Sequence, residues 1–312
     1  MFKEIPKVKI ILFLILNSFL MYPTSKVFGI ENYKKIFVDF QIKNLNQLNK
    51  KNDLSKKLLN RKTKLSYDTL TNKILERARG SLDKNKYQKA IELYEKYIFK
   101  VKKVFGEESS HLIHPLNELA ISYDEIGKPN IALRNYLKAI EINTKFNGEI
   151  NEDNGIFYEN IGSLNWNLNK YSDAEKNFKK SIEIYEKIYK KRKIKLVDSL
   201  QTLADIYSDQ GNFEKAIEVD KKILQIKEDK YGINHPEVAI SLNLIGLSYW
   251  ELGKADIAKP FLERAIEIQE SKLGIDDIET VNSMNNLALV FGDEGNFEKS
   301  IPLFRKILKI SI

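Results

Sequence analysis

The sequence predicts an all-α protein, a solenoid of about six helix–turn–helix hairpins. Three observations predict it: a 42-residue period without insertions, small residues at two fixed positions of each period, and between them a residue that tolerates left-handed backbone. One of the two small positions, called the anchor below, is filled by Ala90, Ala132, Ala174, Ala216, Ala258 and Ser300. Because one hairpin cannot bury its own apolar faces, the hairpins are expected to stack on one another.

Each repeat carries the signals of two amphipathic helices, which are clearest in residues 241–274. Leu242, Ile245 and Tyr249 fall on one face of the first helix, and Gly253 ends it where a left-handed residue is favoured. Twelve residues before each anchor a second small residue lets two helix backbones approach: Ala78, Ala120, Gly162, Ala204, Gly246 and Ala288. Five residues before each anchor the turn between the helices is predicted, at Asn85, Gly127, Asn169, Gly211, Gly253 and Gly295.

The second helix of each repeat is expected to end sixteen residues after the anchor, at Gly106, Gly148, Gly232 and Gly274. The third repeat has Lys190 there, within a basic stretch at 187–195, so its second helix is expected to run on and to expose a charged face. A contact of this stretch with a membrane or an anionic partner is the alternative. Arg77 and Asp220 also replace the usual residues of the pattern, and their repeats are expected to be the least well packed.

These repeats resemble the tetratricopeptide repeat, with its order of small and aromatic residues around a central glycine, which residues 207–224 and 291–308 show best. The common form of that repeat is about 34 residues long. The 42-residue period and the GINHPEVA loop at 232–239 are more similar to the kinesin-light-chain type. The resemblance covers residues 67–312 and implies a right-handed solenoid. Its repeats run approximately over 71–112, 113–154, 155–196, 197–238, 239–280 and 281–312.

Residues 1–29 have the layout of a secretory signal peptide. Three lysines precede an apolar run at 10–21, and Val27 and Gly29 resemble a cleavage site. The run is shorter than the ~20 residues that a membrane span needs, so export is expected, with this segment either removed or kept as a membrane anchor. A buried N-terminal helix is the alternative. Residues 30–66 are expected to be a basic Lys/Asn-rich tether, and the protein to be periplasmic, luminal or secreted.

The charge of the chain is uneven. The net charge is +8, but residues 1–90 hold 20 basic and 7 acidic side chains, so the remainder is mildly acidic. Only seven of the 51 basic residues are arginine, the side chain preferred for contacts with phosphates and bases, and nucleic acid is therefore not an expected partner. The chain has no cysteine, which excludes disulfides, thiol nucleophiles and thiolate-bound metals.

Candidates for chemistry are sparse. His111 and His114 are a weak candidate for a metal clamp, but a connecting loop between the first two repeats is favoured because no third ligand is paired with them by spacing. His235 is expected to set the turn between two repeats. The sequence contains no phosphate loop, dinucleotide fingerprint, nucleophile elbow or zinc-protease motif. We therefore predict no catalytic residue, no metal and no cofactor, in a protein that is not an enzyme.

The resemblance implies that the first helix of each repeat lines an inner groove, where a partner would bind. Asn117, Asn243 and Asn285 occupy one solvent-facing position of that helix, and their amides are the predicted contacts to the backbone of a peptide. The alternative is that they are merely exposed polar residues. Trp166 and Trp250 lie on the same inner faces and are either anchors for the partner or packed against the adjacent hairpin.

An acidic residue lies in the last turn of the first helix in five of the six repeats: Asp83, Glu125, Asp209, Glu251 and Asp293. Negative charge at this end opposes the helix dipole, at a cost of about 0.3–1 kcal/mol each. An unfavourable choice that recurs suggests a rail for a basic ligand, and Glu125, Asp209, Glu251 and Asp293 are its predicted partner-binding members. The alternative is a solvated edge that pairs with Lys128 or Lys254.

The sequence thus predicts a non-enzymatic, exported scaffold that binds a peptide or partner protein, of basic character, in the groove, with membrane contact only through the N-terminal segment. Two alternatives stay open. One is the regulatory array of a longer protein of the kind that carries a caspase-like CHAT peptidase domain, and the other is a structural array that assembles with itself. Phe304, Ile307 and Leu308 of the last repeat are expected to be uncovered, which indicates either a homo-oligomer through that end or the front part of a longer protein.

Overall fold

Twelve α-helices, arranged as six consecutive hairpins, make up residues 71–310, which are the residues that the computed structural model of the protein describes. In chain order the helices are α1 (71–82), α2 (Tyr87–Phe105), α3 (Ile113–Glu125), α4 (Pro129–Asn147), α5 (Glu152–Asn167), α6 (Tyr171–Ile188), α7 (Val197–Asp209), α8 (Phe213–Tyr231), α9 (Pro236–Glu251), α10 (Ala255–Lys272), α11 (Ile278–Asp293) and α12 (Phe297–Ile310). No β-strand occurs within residues 71–310, and the all-α prediction is confirmed. The predicted signal segment (1–29) and tether (30–66) lie outside the described residues.

Consecutive helices pack against each other from α2 to α12, so the hairpins stack in sequence order. Odd-numbered helices are the first helices of the repeats, and even-numbered helices are the second. The buried core follows the stack as successive clusters, the first centred on α2 to α5 and the last on α10 and α11. None of the helices in residues 71–310 combines the length and the apolar character that crossing a bilayer requires.

The turn inside each hairpin has left-handed backbone at the predicted position. The φ angle is 55° at Asn85, 70° at Gly127, 57° at Asn169, 69° at Gly211, 68° at Gly253 and 71° at Gly295. In the two turns with asparagine, a tyrosine hydroxyl donates to the asparagine Oδ1, from Tyr87 at 3.0 Å and from Tyr171 at 3.2 Å. This bond helps to hold the asparagine in the left-handed backbone region, which glycine adopts at a lower energetic cost.

The two small positions are where the helices of each hairpin meet. All six anchors are buried, and none is more than 3% exposed. A Cβ atom on Gly162 would lie 2.6 Å from the Phe178 ring, and one on Gly246 would lie 2.8 Å from Leu262 Cδ2. Because these distances are well inside van der Waals contact, close helix packing requires glycine at both positions.

Four second helices end close to a left-handed glycine, namely Gly106, Gly148, Gly232 and Gly274. The expectation that the third repeat's second helix runs on through 187–195 is wrong, because α6 ends at Ile188. The Tyr189 ring packs against Tyr185 with centroids 5.7 Å apart. Leu196, in a 3-10 turn and 2% exposed, then returns to the core, and its burial draws the chain away from the axis of α6.

Ion pairs join successive second helices in the last four repeats. An acid twelve residues after one anchor faces a base six residues after the next, in the pairs Glu186–Lys222 at 2.6 Å, Glu228–Arg264 at 3.1 Å and Glu270–Lys306 at 2.7 Å. At the first junction the same two positions hold Lys102 and Lys138, which instead pair with Glu107 and Glu141. These three pairs thus recur in one register from the third repeat to the sixth.

The two departures from the repeat pattern differ in their surroundings. Arg77 is exposed, whereas Leu119 and Ile161 at the corresponding positions are 4% and 2% exposed, so the first repeat lacks one buried aliphatic side chain. Asp220 is 4% exposed and occupies the interior of the fourth hairpin. The fourth repeat therefore places a carboxyl group where the first three repeats place an aromatic ring.

Candidate partner-binding surface

Side chains of the first helices reach directly from one repeat to the next. Asn160 on α5 donates through Nδ2 to the Asn117 Oδ1 on α3 at 2.9 Å, and Asn286 on α11 donates to the Asn243 Oδ1 on α9 at 3.1 Å. In both pairs the donor lies 43 residues after the acceptor, one period plus one residue. The first helices thus form a continuous surface held by contacts between repeats.

The three asparagines that were predicted to contact a peptide differ in the exposure and the hydrogen bonding of their side chains. Asn117 is only 8% exposed, so the expectation that it faces solvent is wrong: its side chain closes a junction between repeats. Asn243 and Asn285 are half-buried. Within residues 71–310 no hydrogen bond holds the Nδ2 group of Asn243 or the side chain of Asn285. Contact of these amides with a peptide backbone stays a prediction.

Both tryptophans pack against the adjacent hairpin, which was one of the two alternatives. The Trp166 indole N–H donates to Asp209 Oδ2 at 2.8 Å, and the Trp250 indole N–H donates to Asp293 Oδ2 at 2.9 Å. Each ring also contacts the core and remains partly exposed. Trp166 and Trp250 therefore link successive first helices while still presenting part of a ring to the surface.

The five acidic side chains at the ends of the first helices are all exposed: Asp83, Glu125, Asp209, Glu251 and Asp293. We call them the acidic row. The expected alternative, pairing with Lys128 or Lys254, does not occur, since within residues 71–310 no lysine or arginine lies within 4 Å of any carboxylate in the row. Asp209 and Asp293 accept the two indole hydrogen bonds, which leave their negative charge in place.

A second acidic feature lies behind the row in the fourth repeat. Asp205 is half-buried on α7, and its Oδ1 accepts a hydrogen bond from Gln201 Nε2 at 3.2 Å. The pKa of Asp220 is raised to about 7, chiefly by burial and secondly by the charge of Asp205, while the charge of Lys227 acts in the opposite direction. Burial also raises the pKa of Asp205, with a contribution from Asp209. The sequence signal for this feature was Asp220 at an aromatic position of the repeat.

Glu159 lies at the repeat position of Asn117, but its side chain is hydrogen-bonded within the array. It accepts hydrogen bonds from the Tyr185 hydroxyl at 3.0 Å and from the Ser199 hydroxyl of the next repeat. Burial raises its pKa, although these hydrogen bonds act in the opposite direction. Glu159 is therefore a junction residue between α5, α6 and α7.

Comparison with known proteins identifies the family to which the repeats belong. The tetratricopeptide repeat family matches residues 154–229, 199–271 and 237–312, which together span about half of the chain. The chain belongs to the tetratricopeptide repeat family. Repeats of this family mediate interactions between proteins.

Solved structures share the tetratricopeptide fold at low sequence identity. The Podosopora anserina kinesin light chain nearly identical TPR-like repeats are 18% identical, with a TM-score of 0.55 over 65% of this chain and 97% of that one. BtubC from P. vanneervenii is 18% identical, with a TM-score of 0.56 over 76% of this chain and 91% of that one. The apo form of RapI is 18% identical, with a TM-score of 0.65 over 89% of this chain and 76% of that one. The repeats are thus kinesin-light-chain-like in fold.

A curated relative also matches part of the chain. The Clustered mitochondria protein homolog of Candida albicans is 31% identical over 123 residues, which are 39% of this chain. This chain spans about 9% of that relative's length.

The histidines of the tetratricopeptide array serve its connections between repeats. His235 caps α9, accepting from the Glu237 N–H at 3.2 Å, and stacks on Tyr231 with centroids 4.7 Å apart, as expected for a turn-setting residue. His111 stacks on Phe105 in the same way, while His114 lies 3.7 Å from Asp153. No group of three or more metal-ligating side chains occurs in the described part of the chain.

Proposed function

We propose that this protein is a non-enzymatic interaction scaffold whose tetratricopeptide groove binds a basic segment of a partner protein. One observation carries the proposal: the acidic row occupies the same position in five of the six repeats, is exposed, and is not neutralised by any lysine or arginine within residues 71–310. Elsewhere in the array, lysine and glutamate side chains pair repeatedly, as in Lys222–Glu186 and Lys259–Glu294. The row is therefore a surface that a basic ligand would complement.

The position of the row strengthens its attraction for a cation. Each carboxylate stands at the C-terminal end of a helix, where the macrodipole adds partial negative charge. Repetition along the stack allows one extended segment to meet several carboxylates in turn, and the contacts of one chain then reinforce each other. The partly exposed rings of Trp166 and Trp250 lie beside Asp209 and Asp293, where they would contact the aliphatic stems of lysine side chains.

Asn243 and Asn285 supply the second part of the proposed recognition. The Nδ2 group of Asn243 and the side-chain amide of Asn285 would hydrogen-bond the backbone of an extended segment without reading its sequence. Asn117 contributes less in this proposal because it is only 8% exposed, whereas Asn243 and Asn285 are half-buried. Selectivity for basic partners then comes from the acidic row, and the amides set the path of the peptide.

Binding of a labelled oligolysine peptide, followed by fluorescence anisotropy, tests the proposal. The full chain is compared with the variant Asp209→Lys, Glu251→Lys, Asp293→Lys. A control variant with Glu218→Lys, Glu263→Lys and Glu267→Lys changes the net charge equally, but at exposed positions of second helices. We expect binding to be lost in the first variant and retained in the second. Equal binding by both would contradict the proposal, and an oligoglutamate peptide reports non-specific binding.

We also propose that the protein is exported, with residues 1–29 as its signal segment and membrane contact through that segment alone. The support is the order of lysines, apolar run and small residues at the N-terminus. Mass spectrometry of the N-terminus of the protein made in its own cells tests this. A chain beginning near residue 30 supports cleavage, whereas an intact N-terminus in a membrane fraction supports an anchor, and an intact chain in the cytosol contradicts export.

Self-association is a second candidate, favoured by the last helix. An apolar stripe on α12 is exposed at Phe297 (61%), Ile301 (46%), Phe304 (38%) and Leu308 (61%). In earlier repeats the residue corresponding to Leu308 is covered, as Ile98 is at 7% exposure. We propose that a second copy of the chain covers the stripe; covering it within a longer protein is the competing proposal. Sedimentation at increasing concentration should show dimers that Leu308→Lys abolishes, and a monomer at all concentrations would contradict self-association.

A further inference from the structure

We propose that the fourth repeat contains a pocket, formed by Asp205 and Asp220 behind Asp209, that receives one lysine side chain of the bound partner. This inference rests on the proposed function and assigns a specific site within it. The supporting observations are the position of Asp220 in the hairpin, its lack of a polar partner, and the continuity of the three carboxylates from the surface inward.

Asp220 occupies a position that faces the first helix of its own hairpin. Four residues after the anchor, the equivalent Phe178 contacts Gly162, and the equivalent Leu262 contacts Gly246, as the short distances to those glycines show. By the same register Asp220 faces α7 at Ala204, the residue that precedes Asp205. An aspartate side chain is much smaller than the aromatic rings of the first three repeats, so it fills less of the space between the two helices.

Among the described residues the Asp220 carboxylate has no polar partner. It is 96% buried, and within residues 71–310 no hydrogen bond or ion pair within 4 Å engages it. The cation whose charge acts on it, Lys227 of the same helix, lies 2.9 Å from Glu237 on α9 and is committed to that ion pair. An ionised carboxylate that is buried without a partner is strongly unfavourable, and proteins either protonate such a group or pair it with a cation.

Three carboxylates lead from the surface to this buried group. Asp209 is exposed at the end of α7, Asp205 is half-buried one turn earlier, and Asp220 is buried on α8. The charge of Asp209 raises the pKa of Asp205. The charge of Asp205 in turn adds to the effect of burial in raising the pKa of Asp220. A cation entering between Asp205 and Asp220 would relieve both effects.

The arrangement favours an ammonium group over a metal ion. Within the described residues the carboxylates do not converge as a set of metal ligands. Lysine has a flexible aliphatic stem and a compact charge with three donors, so it can pass the half-buried Asp205 and reach a narrow interior site. Arginine is planar and wider, and we expect it to bind less well at this position.

The test measures affinity of the full chain for labelled oligolysine and oligoarginine at about pH 6 and about pH 8, on either side of the Asp220 midpoint. Wild-type protein should bind oligolysine better at the higher pH. Asp220→Leu, which installs the residue of the fifth repeat, should weaken oligolysine binding at the higher pH by about tenfold and remove the pH dependence. Asp220→Asn should act in the same direction, and Glu218→Gln, an exposed acid on the same helix, should leave the affinity nearly unchanged.

A direct readout follows the carboxyl carbon of Asp220 by NMR. Saturating oligolysine should move its titration midpoint to lower pH, because bound cation favours the ionised form. Wild-type affinity in Asp220→Leu, with an unmoved midpoint, would overturn the pocket. If the triple reversal of Asp209, Glu251 and Asp293 still abolishes binding in that case, the proposed function survives. If the reversal has no effect either, both proposals fail.

Discussion

The indole N–H of Trp166 donates to Asp209 Oδ2 at 2.8 Å, and the same bond recurs one pair of repeats later between Trp250 and Asp293 at 2.9 Å. Each bond crosses from the first helix of one repeat to the first helix of the next. Side chains in the groove therefore have two roles, since they present polar groups at the surface and they also fix the angle between neighbouring hairpins.

Removing one of these acceptors should loosen a junction between repeats. Asp209→Ala is expected to lower the free energy of unfolding by about 1 kcal/mol, because a hydrogen bond to a charged group is lost. Asp209→Asn keeps an acceptor oxygen and should cost less. Glu251→Ala is the matched control, since Glu251 lies in the same row without an indole partner. Urea unfolding followed by tryptophan fluorescence measures all three, and an equal loss in Glu251→Ala would contradict the role of the bond.

A methyl group at Gly162 should disturb the third hairpin. Its Cβ would lie 2.6 Å from the Phe178 ring, so the helices must separate or the ring must move, at a cost of about 1–3 kcal/mol. Gly80→Ala is the control, because within residues 71–310 no atom outside its own stretch of helix backbone lies within 4 Å of a Cβ at that helical glycine. It should be neutral or stabilise by up to about 1 kcal/mol. Thermal unfolding of both variants decides the matter, and a Gly162→Ala protein as stable as wild type would show that the hairpin adapts.

The ion pair between Glu228 and Arg264 should show coupling in a double-mutant cycle. The distance is 3.1 Å and the Glu228 side chain is 19% exposed. Glu228→Lys should destabilise the array by roughly 1 kcal/mol through like charges, and adding Arg264→Glu should restore most of that loss. Chemical denaturation at low and high salt measures the coupling, which should shrink as salt screens the pair. Additive effects of the two substitutions would show that Glu228 and Arg264 are not energetically coupled.

Stability should fall as Asp220 ionises. Its pKa in the folded protein is about 7, above the ordinary value of 3.8, so the folded state holds this proton more tightly than the unfolded state. The destabilisation is absent below about pH 4, grows between about pH 4 and 7, and is complete above that, with an upper value on the order of 4 kcal/mol. Asp220→Leu should therefore be more stable than wild type at about pH 8, with a smaller gain at about pH 5.

Urea midpoints across this pH range test the prediction. The difference between wild type and Asp220→Leu isolates Asp220 from Glu159 and Asp205, whose pKa values burial also raises. Profiles of the two proteins that run parallel from acid to alkaline pH would contradict an Asp220 pKa near 7.

Local backbone demands made much of the fold predictable. A left-handed turn requires glycine or asparagine, and close helix approach requires a small residue, so Gly253 and Ala258 identify a hairpin without any knowledge of its neighbours. The end of α6 was not predictable in this way, because it depends on where Tyr189 and Leu196 find space in the core.

The candidate site was less predictable because its contacts join different repeats. Spacing placed Asn117 and Trp166 on the inner face, but the angle between hairpins decides whether Asn160 or Asp209 comes within hydrogen-bond distance. Asp220 was visible as a departure from the pattern. That it is nearly inaccessible and lacks a polar partner follows only from the three-dimensional packing.

The recurrence of the Trp–Asp bond means that the array has a longer unit of two repeats. Trp250 follows Trp166 by 84 residues, as Asp293 follows Asp209 and Gly246 follows Gly162. Excising residues 167–250 would bring Trp166 into the position of Trp250 and Gly162 opposite Leu262, so one existing junction would be re-formed with its own contacts. A change in length by two repeats can therefore keep a Trp–Asp bond at the new junction, and a ligand with a regular charge spacing could be matched by lengthening or shortening the chain.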